Sequence, residues 1–220
     1  MKKILLALLP FWTPLIPPMG IARLKSYLMK RGYSVKAVDS TVELSFKKIY
    51  SDYFGSLKLF IPIENHANFL NVGHDVMQNH MMAFINMKNE VEYNELVKLI
   101  VYKTYYFNLN ENQLKQINSI ISKFFNLLET YILDIIEEFK PDVFGLTVYC
   151  HTLPASLFAF NLVKLKYPEI RNVMGGGIFA EQLAVGTDNY NRFLEQTPFI
   201  DKIIIGEGEE LLCKYLEENI

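Results

Sequence analysis

The sequence predicts an α/β fold: a three-layer, five-stranded parallel sheet with a helical insertion between its second and third strands. Three observations carry this. Short apolar runs alternate with helical patterns over 1–40 and again over 140–220, the order in which strands and helices build a parallel sheet with right-handed crossovers. Two of those runs, Arg171 to Met174 and Ile203 to Ile205, lead straight into glycines, at Gly175-Gly176-Gly177 and Gly206-Glu207-Gly208-Glu209. From Ser40 to Phe139 the alternation stops and only helical periodicity remains.

The bulk properties agree. With 220 residues, half of them hydrophobic, the chain suits one generous domain or a domain with a substantial insertion. A formal charge of −2 gives no reason to expect nucleic acid or an anionic membrane as partner. Cys150 and Cys213 are too few for a disulfide framework and suit the reduced thiols of a cytosolic, cytoplasmic protein. Lys2 and Lys3 before an apolar run imitate a signal peptide, but Pro10 ends the run and no small-residue cleavage site follows. No stretch approaches the ~18–20 apolar residues of a membrane span.

Ile4 to Leu9 is a continuous apolar run, as in a parallel strand covered on both faces. A proline-rich turn from Pro10 to Pro18 and then Gly20 open a helix on which Ile21, Leu24, Tyr27 and Leu28 share one side. Gly32 suits its C-terminal cap, and Lys30 and Arg31 suit the negative end of its dipole. Val35 to Val38 is the second strand, ending at Asp39. The insertion reads as helices over Val42 to Tyr53, Phe69 to Met87, Glu92 to Tyr106 and Glu111 to Phe139. In the last, apolar residues recur at spacings of three and four from Leu114 to Phe139. Asn110 with Gln113 predicts a capping box there, and Pro141 a stop.

The alternation resumes with a strand over Val143 to Tyr149 and a helix from Pro154 to Tyr167. A strand over Asn172 to Met174, a short helix near Asn191 to Gln196, a strand over Lys202 to Ile205 and a helix from Glu209 to Glu218 complete the chain. The flavodoxin-like order 2-1-3-4-5 is the simplest arrangement of five such strands. It puts the first and third at the switch point, where ligands sit beyond the strands' carboxyl ends.

Four loops then meet on one rim: Phe11 to Gly20, Tyr149 to Leu153, Gly175 to Glu181 and Gly206 to Glu210. Pro17 and Pro18 stiffen the first ahead of Met19, and Gly20 opens a helix whose free amides suit a polar or anionic group. Thr147, Tyr149, Cys150, His151 and Thr152 offer hydroxyls and polar tips. Gly175, Gly176 and Gly177, with Ile178 and Phe179 behind them, present bare backbone to a flat surface. Gly206 and Gly208 do the same beside Glu207 and Glu209, whose carboxylates suit a helix start.

Pro17-Pro18-Met19-Gly20 running into Ile21 to Leu28, then Gly32-Tyr33-Ser34-Val35 to Asp39, resembles the opening of the cobalamin (vitamin B12)-binding N-terminal domain of cobalamin-dependent radical SAM enzymes. Pro141 to Thr147 is similar to that family's third strand, and Gly175-Gly176-Gly177 and Ile205 to Glu209 to its fourth and fifth strand ends. The resemblance covers about 1–40 and 140–220 and leaves out the helical insertion, 41–139. It implies a corrin ring on the sheet's carboxyl edge and a nucleotide tail running down between the sheet and a helix. Pro17 to Gly20 then lie beneath the corrin, and Thr147, Tyr149 and Cys150 to Thr152 line the ring or tail. Gly175 to Phe179 pack on the tail or corrin edge, and Gly206 to Glu209 close the other side.

Three departures shape the expectation. The turn after the first strand holds Pro17, Pro18 and Met19 in place of the Asp-x-His-x-x-Gly turn of methionine-synthase-type domains, so it supplies no lower axial imidazole. Gly177-Ile178 stands where the family often has Pro-His. The Cys-x-x-x-Cys-x-x-Cys of the catalytic half is absent. The chain is therefore expected to bind cobalamin without catalysing, as the cofactor fragment of an enzyme of methyl transfer or another radical modification. The iron–sulfur cluster and S-adenosylmethionine belong to a further part. His66, His74 and His80, with Asp75, lack metal-ligand spacing and read as surface or partly buried imidazoles. Other readings of the same fold are a flavin or nucleotide binder and an interaction module presenting the insertion. A signalling receiver is disfavoured, because Pro10 and Tyr149-Cys150 stand where its acidic residues belong.

Overall fold

A computed structural model describes residues 2–11, 17–66, 69–180 and 182–219. The turn residues Trp12 to Ile16 and the loop residue Glu181 lie outside them. The fold is α/β: one five-stranded sheet, all parallel, in the order β2-β1-β3-β4-β5. The strands are β1 (Lys3–Leu8), β2 (Ser34–Asp39), β3 (Val143–Thr147), β4 (Arg171–Gly175) and β5 (Lys202–Ile203). The helices are α1 (Met19–Met29), α2 (Leu44–Phe60), α3 (Phe69–Ile85), α4 (Glu90–Tyr105), α5 (Glu111–Phe139), α6 (Leu153–Lys166), α7 (Asp188–Gln196) and α8 (Gly208–Asn219). Two compact units result: 1–42 with 129–220, which holds the sheet, and 43–128, which is helical. No described helix is long and apolar enough to cross a membrane.

In the sheet unit, β1 pairs with β2 on one side and β3 on the other, and Ile4 to Leu8 are all buried. This is why its apolar run does not alternate. On one face Ile4, Leu6, Leu8, Val143, Val173 and Ile204 pack against Ile21 and Leu28 of α1 and Leu212 and Leu216 of α8. Each such side chain removed from water contributes about 1.5–3 kcal/mol. On the other face Phe144 meets Phe160 of α6 edge-on, centroids 5.7 Å apart. Gly32 ends α1 at φ +85°, and the Tyr33 amide donates back to the Leu28 carbonyl at 3.2 Å.

Strand ends differ from expectation where local hydrogen bonds win. β3 stops at Thr147, two residues early, because the Tyr149 amide donates to Thr152 Oγ1 at 3.0 Å and the Thr152 amide to the Tyr149 carbonyl at 3.0 Å. These close a turn. β5 is two residues long, although the Ile204 amide still donates to the Met174 carbonyl at 2.8 Å. α7 starts at Asp188 rather than Asn191, since Thr187 Oγ1 accepts the Tyr190 amide. Helix α2 runs on through Gly55 to Phe60, with Pro62 two residues beyond.

The short edge strand is held by Asp201. Its carboxylate accepts from Lys164 Nζ at 2.7 and 2.8 Å and from the Asn172 amide at 2.7 Å. Asp201→Ala is expected to cost about 2 kcal/mol, because it strands a half-covered ammonium and a strand amide. Urea unfolding checks this, with a shifted midpoint and an unchanged slope.

The helical unit has a core of its own. Phe46 packs on Phe124, and Phe84 stacks on Phe125 with centroids 4.8 Å apart. The predicted capping box of α5 is present: Asn110 and Gln113 exchange amide-to-side-chain bonds, both at 2.9 Å. The imidazoles of this unit each have partners: His66 Nε2 lies 2.9 Å from the Ile61 carbonyl, His74 Nε2 2.7 Å from Tyr50 Oη. His80, contrary to the expectation of a surface or partly buried imidazole, is fully buried, because Tyr53 and Tyr93 satisfy both ring nitrogens at 2.9 and 2.8 Å.

Candidate functional site

At the carboxyl edge of the sheet, a cleft of about 550 Å³ runs down between the sheet and helices α1 and α8. Its floor is a row across three neighbouring strands, Leu6, Gly145 and Val173, which face each other in register. Gly145 makes the floor low. A Cβ built there would lie 2.9 Å from Leu6 Cδ2, so any side chain must displace its neighbour or fill the cleft. Ile21 and Leu24 of α1 and Leu212 of α8 form the walls. The cleft is therefore apolar at depth, as small-molecule sites are.

The rim is glycine-rich for steric reasons visible at each position. The Val148 amide donates to the Gly175 carbonyl at 2.7 Å, and the Ile178 amide to the Val148 carbonyl at 3.2 Å. Gly176 sits inside that exchange at φ +116°, and a Cβ on it would lie 2.4 Å from both Val148 N and Val148 O. Only glycine fits. A Cβ on Gly177 would press on the Tyr149 ring at 3.0 Å, and one on Gly208 would touch Leu24 Cδ2 at 3.3 Å. Among the described residues, nothing lies within 4 Å of a Cβ added at Gly206 (φ +89°) or Gly20.

Twelve of the residues singled out by sequence line this cleft together: Met19 and Gly20, Thr147 and Tyr149, Gly175 to Gly177 and Phe179, and Gly206 to Glu209. Phe179 is held by edge-on contacts with Tyr190 and Phe193 of α7. Six lie elsewhere. Pro17 and Pro18 start α1, their carbonyls accepting from the amides of Met19 and Ala22. Thr152 is fully buried in the turn after β3, and Ile178 is fully buried in the core. Cys150 and His151 occupy that same turn, Sγ and Nδ1 3.6 Å apart, and the His151 carbonyl accepts from the Phe11 amide.

The sequence reading passed over the interior of the cleft. Gly145 carried a signal, since an isolated glycine inside a strand marks a close approach. Arg23 carried none beyond its helix. It lies at the mouth, its Nε 2.7 Å from Glu209 Oε1, tying α1 to α8. Among the described lining residues the ionisable acids and bases are Arg23, Glu207 and Glu209, so the mouth is mildly acidic. Behind the wall, burial and the neighbouring Glu217 carboxylate raise the Cys213 thiol, which leaves it protonated and unreactive. Comparison of the chain with known protein families, with curated proteins and with solved structures finds no match.

Proposed function

We propose that the sheet unit is a cobalamin-binding module that serves a radical SAM catalytic unit. The observation that carries this reading is the cleft itself: a glycine-rimmed opening at the carboxyl edge that continues as an apolar slot between the sheet and α1/α8. A flat macrocycle needs bare backbone beneath it, and a pendant aromatic base needs a narrow apolar slot. The residues present fit both demands, because Gly20 and Gly206 leave room that a side chain would take and Gly145 lowers the floor. A volume of about 550 Å³ falls within the ~300–1,000 Å³ of small-molecule sites.

When bound, cobalamin supplies the organometallic chemistry. The chain's own residues bind, orient and exclude water. Leu6, Ile21, Leu24, Val173 and Leu212 desolvate the tail, and the backbone of Gly175 to Gly177 and Gly206 to Gly208 offers amides to the ring's amide rim. No histidine lies between β1 and α1, so that turn offers no imidazole to cobalt. The methyl transfer or other radical modification belongs to a catalytic unit carrying the iron–sulfur cluster, in the same polypeptide or in a partner. A flavin or nucleotide is the second reading, and its nucleoside triphosphate form is the weaker one, since Glu207 and Glu209 oppose a run of phosphates at this mouth.

The test is retention. Protein incubated with hydroxocobalamin and desalted is expected to keep the corrin's visible bands, whereas flavin mononucleotide and ATP wash away. Loss of the corrin with retention of flavin would overturn the proposal. Gly20→Trp places an indole in the open mouth and is expected to weaken cobalamin binding at least tenfold. The circular dichroism of the fold should stay unchanged, because among the described residues nothing lies within 4 Å of that position's Cβ.

A further inference from the structure

Arg23 is the single cation lining the cleft among the described residues. It projects from the first turns of α1 across the mouth to Glu209 in the first turn of α8. Arg23 is largely exposed, at 68 %, while Glu209 is mostly covered, at 14 %. Both residues also line an adjoining groove of about 390 Å³ between α1 and α8, so the pair sits on the partition between cleft and groove. The contact is made through Nε, and the terminal nitrogens carry the other donors of a planar fork suited to phosphate oxygens.

Electrostatics decides what such an arginine does. An apolar slot flanked by Glu207 and Glu209 repels any anionic group that enters, unless a cation meets it at the mouth. A cofactor tail seated in this slot carries one phosphodiester, and it must cross the mouth to bring its base to the floor. The ion pair with Glu209 borders solvent and is worth little by itself. Glu209 also keeps a favourable place at the N-terminal end of the α8 dipole when Arg23 turns away. Exchanging a carboxylate for a phosphate therefore costs the protein little and gives the ligand a charge-assisted contact.

We infer that Arg23 is the phosphate-reading residue of the cleft, exchanging Glu209 for the phosphodiester of the nucleotide tail. The inference rests on the cobalamin reading and adds what selects the intact cofactor over a corrinoid that lacks the tail.

Equilibrium dialysis with hydroxocobalamin and with cobinamide, which has the ring but no nucleotide tail, separates the two claims. In the wild type, cobalamin is expected to bind more tightly than cobinamide. Arg23→Ala should weaken cobalamin roughly ten- to a hundredfold, as loss of a hydrogen bond to a charged group does, and leave cobinamide unmoved. Glu209→Gln, which removes the competitor and keeps the shape, should strengthen cobalamin about two- to fivefold. The inference is overturned if Arg23→Ala leaves the cobalamin-to-cobinamide ratio unchanged. It is equally overturned if Glu209→Gln weakens cobalamin as much as Arg23→Ala does, for then the pair is a structural clasp. A wild type that binds neither corrinoid defeats the cobalamin reading itself, a distinguishable result.

Discussion

Gly176→Ala is expected to destabilise the sheet unit by about 3 kcal/mol or more. Two independent costs add. The backbone sits at φ +116°, which an L side chain rarely adopts, and the new methyl would lie 2.4 Å from two backbone atoms of Val148. Neither atom can rotate away, since the Val148 amide and carbonyl are tied to Gly175 and Ile178. The loop must leave the β3 end altogether, which places the change among the severest single substitutions. Urea unfolding measures it, with Gly20→Ala as the comparison. That methyl meets nothing within 4 Å among the described residues, so its effect should stay within about 0.5 kcal/mol of the wild type. A Gly176→Ala protein of wild-type midpoint would show that the β4 loop does not cross Val148 as described.

The second large effect is on the helical unit and depends on pH. His80 is fully buried, and burial pushes its pKa down from 6.5 to about 3. The folded form therefore keeps a neutral imidazole, one nitrogen facing Tyr53 Oη and the other Tyr93 Oη. The same burial raises both phenols, so neither ionises in this range. An unfolded chain takes up a proton near pH 6.5, whereas the folded one resists until about 3. Below pH 6.5 protons thus favour the unfolded state. The stabilisation is complete above that pH and is lost as the pH falls toward the folded value. At about 1.36 kcal/mol per pH unit, the loss between pH 7 and pH 5 is about 2 kcal/mol, before most carboxylates titrate. Amide protection factors in α2 and α3, corrected for the intrinsic exchange rate at each pH, should fall accordingly. His80→Gln should flatten this dependence while lowering stability at pH 7. If those protection factors are flat between pH 7 and pH 5 in the wild type, His80 is already protonated or already exposed.

Much of this architecture was legible in residue order. Ile4 to Leu8 announce a strand buried on both faces, and Asn110 with Gln113 announce the start of α5; both occur. What periodicity could not reveal was decided by single hydrogen bonds. Thr152 cut β3 short at Thr147, and Thr187 moved the start of α7 to Asp188. The same divide runs through the cleft. Its rim was visible because glycines stand out where strands end. Its interior was not, because Leu6, Val173 and Leu212 look like any core residues until register and helix placement turn them toward one slot. Cys150 and His151 are chemically conspicuous beside the rim, yet of their turn it is Tyr149 that lines the cleft.

The central claim is that a slot between the sheet and helices α1 and α8 receives a cofactor tail. The visible and electron paramagnetic resonance spectra of bound cob(II)alamin test it most directly, because a benzimidazole inserted in the slot cannot also sit on cobalt. The base-off form is predicted, without the nitrogen splitting of coordinated benzimidazole. Bound cofactor that keeps its base-on spectrum would contradict the claim.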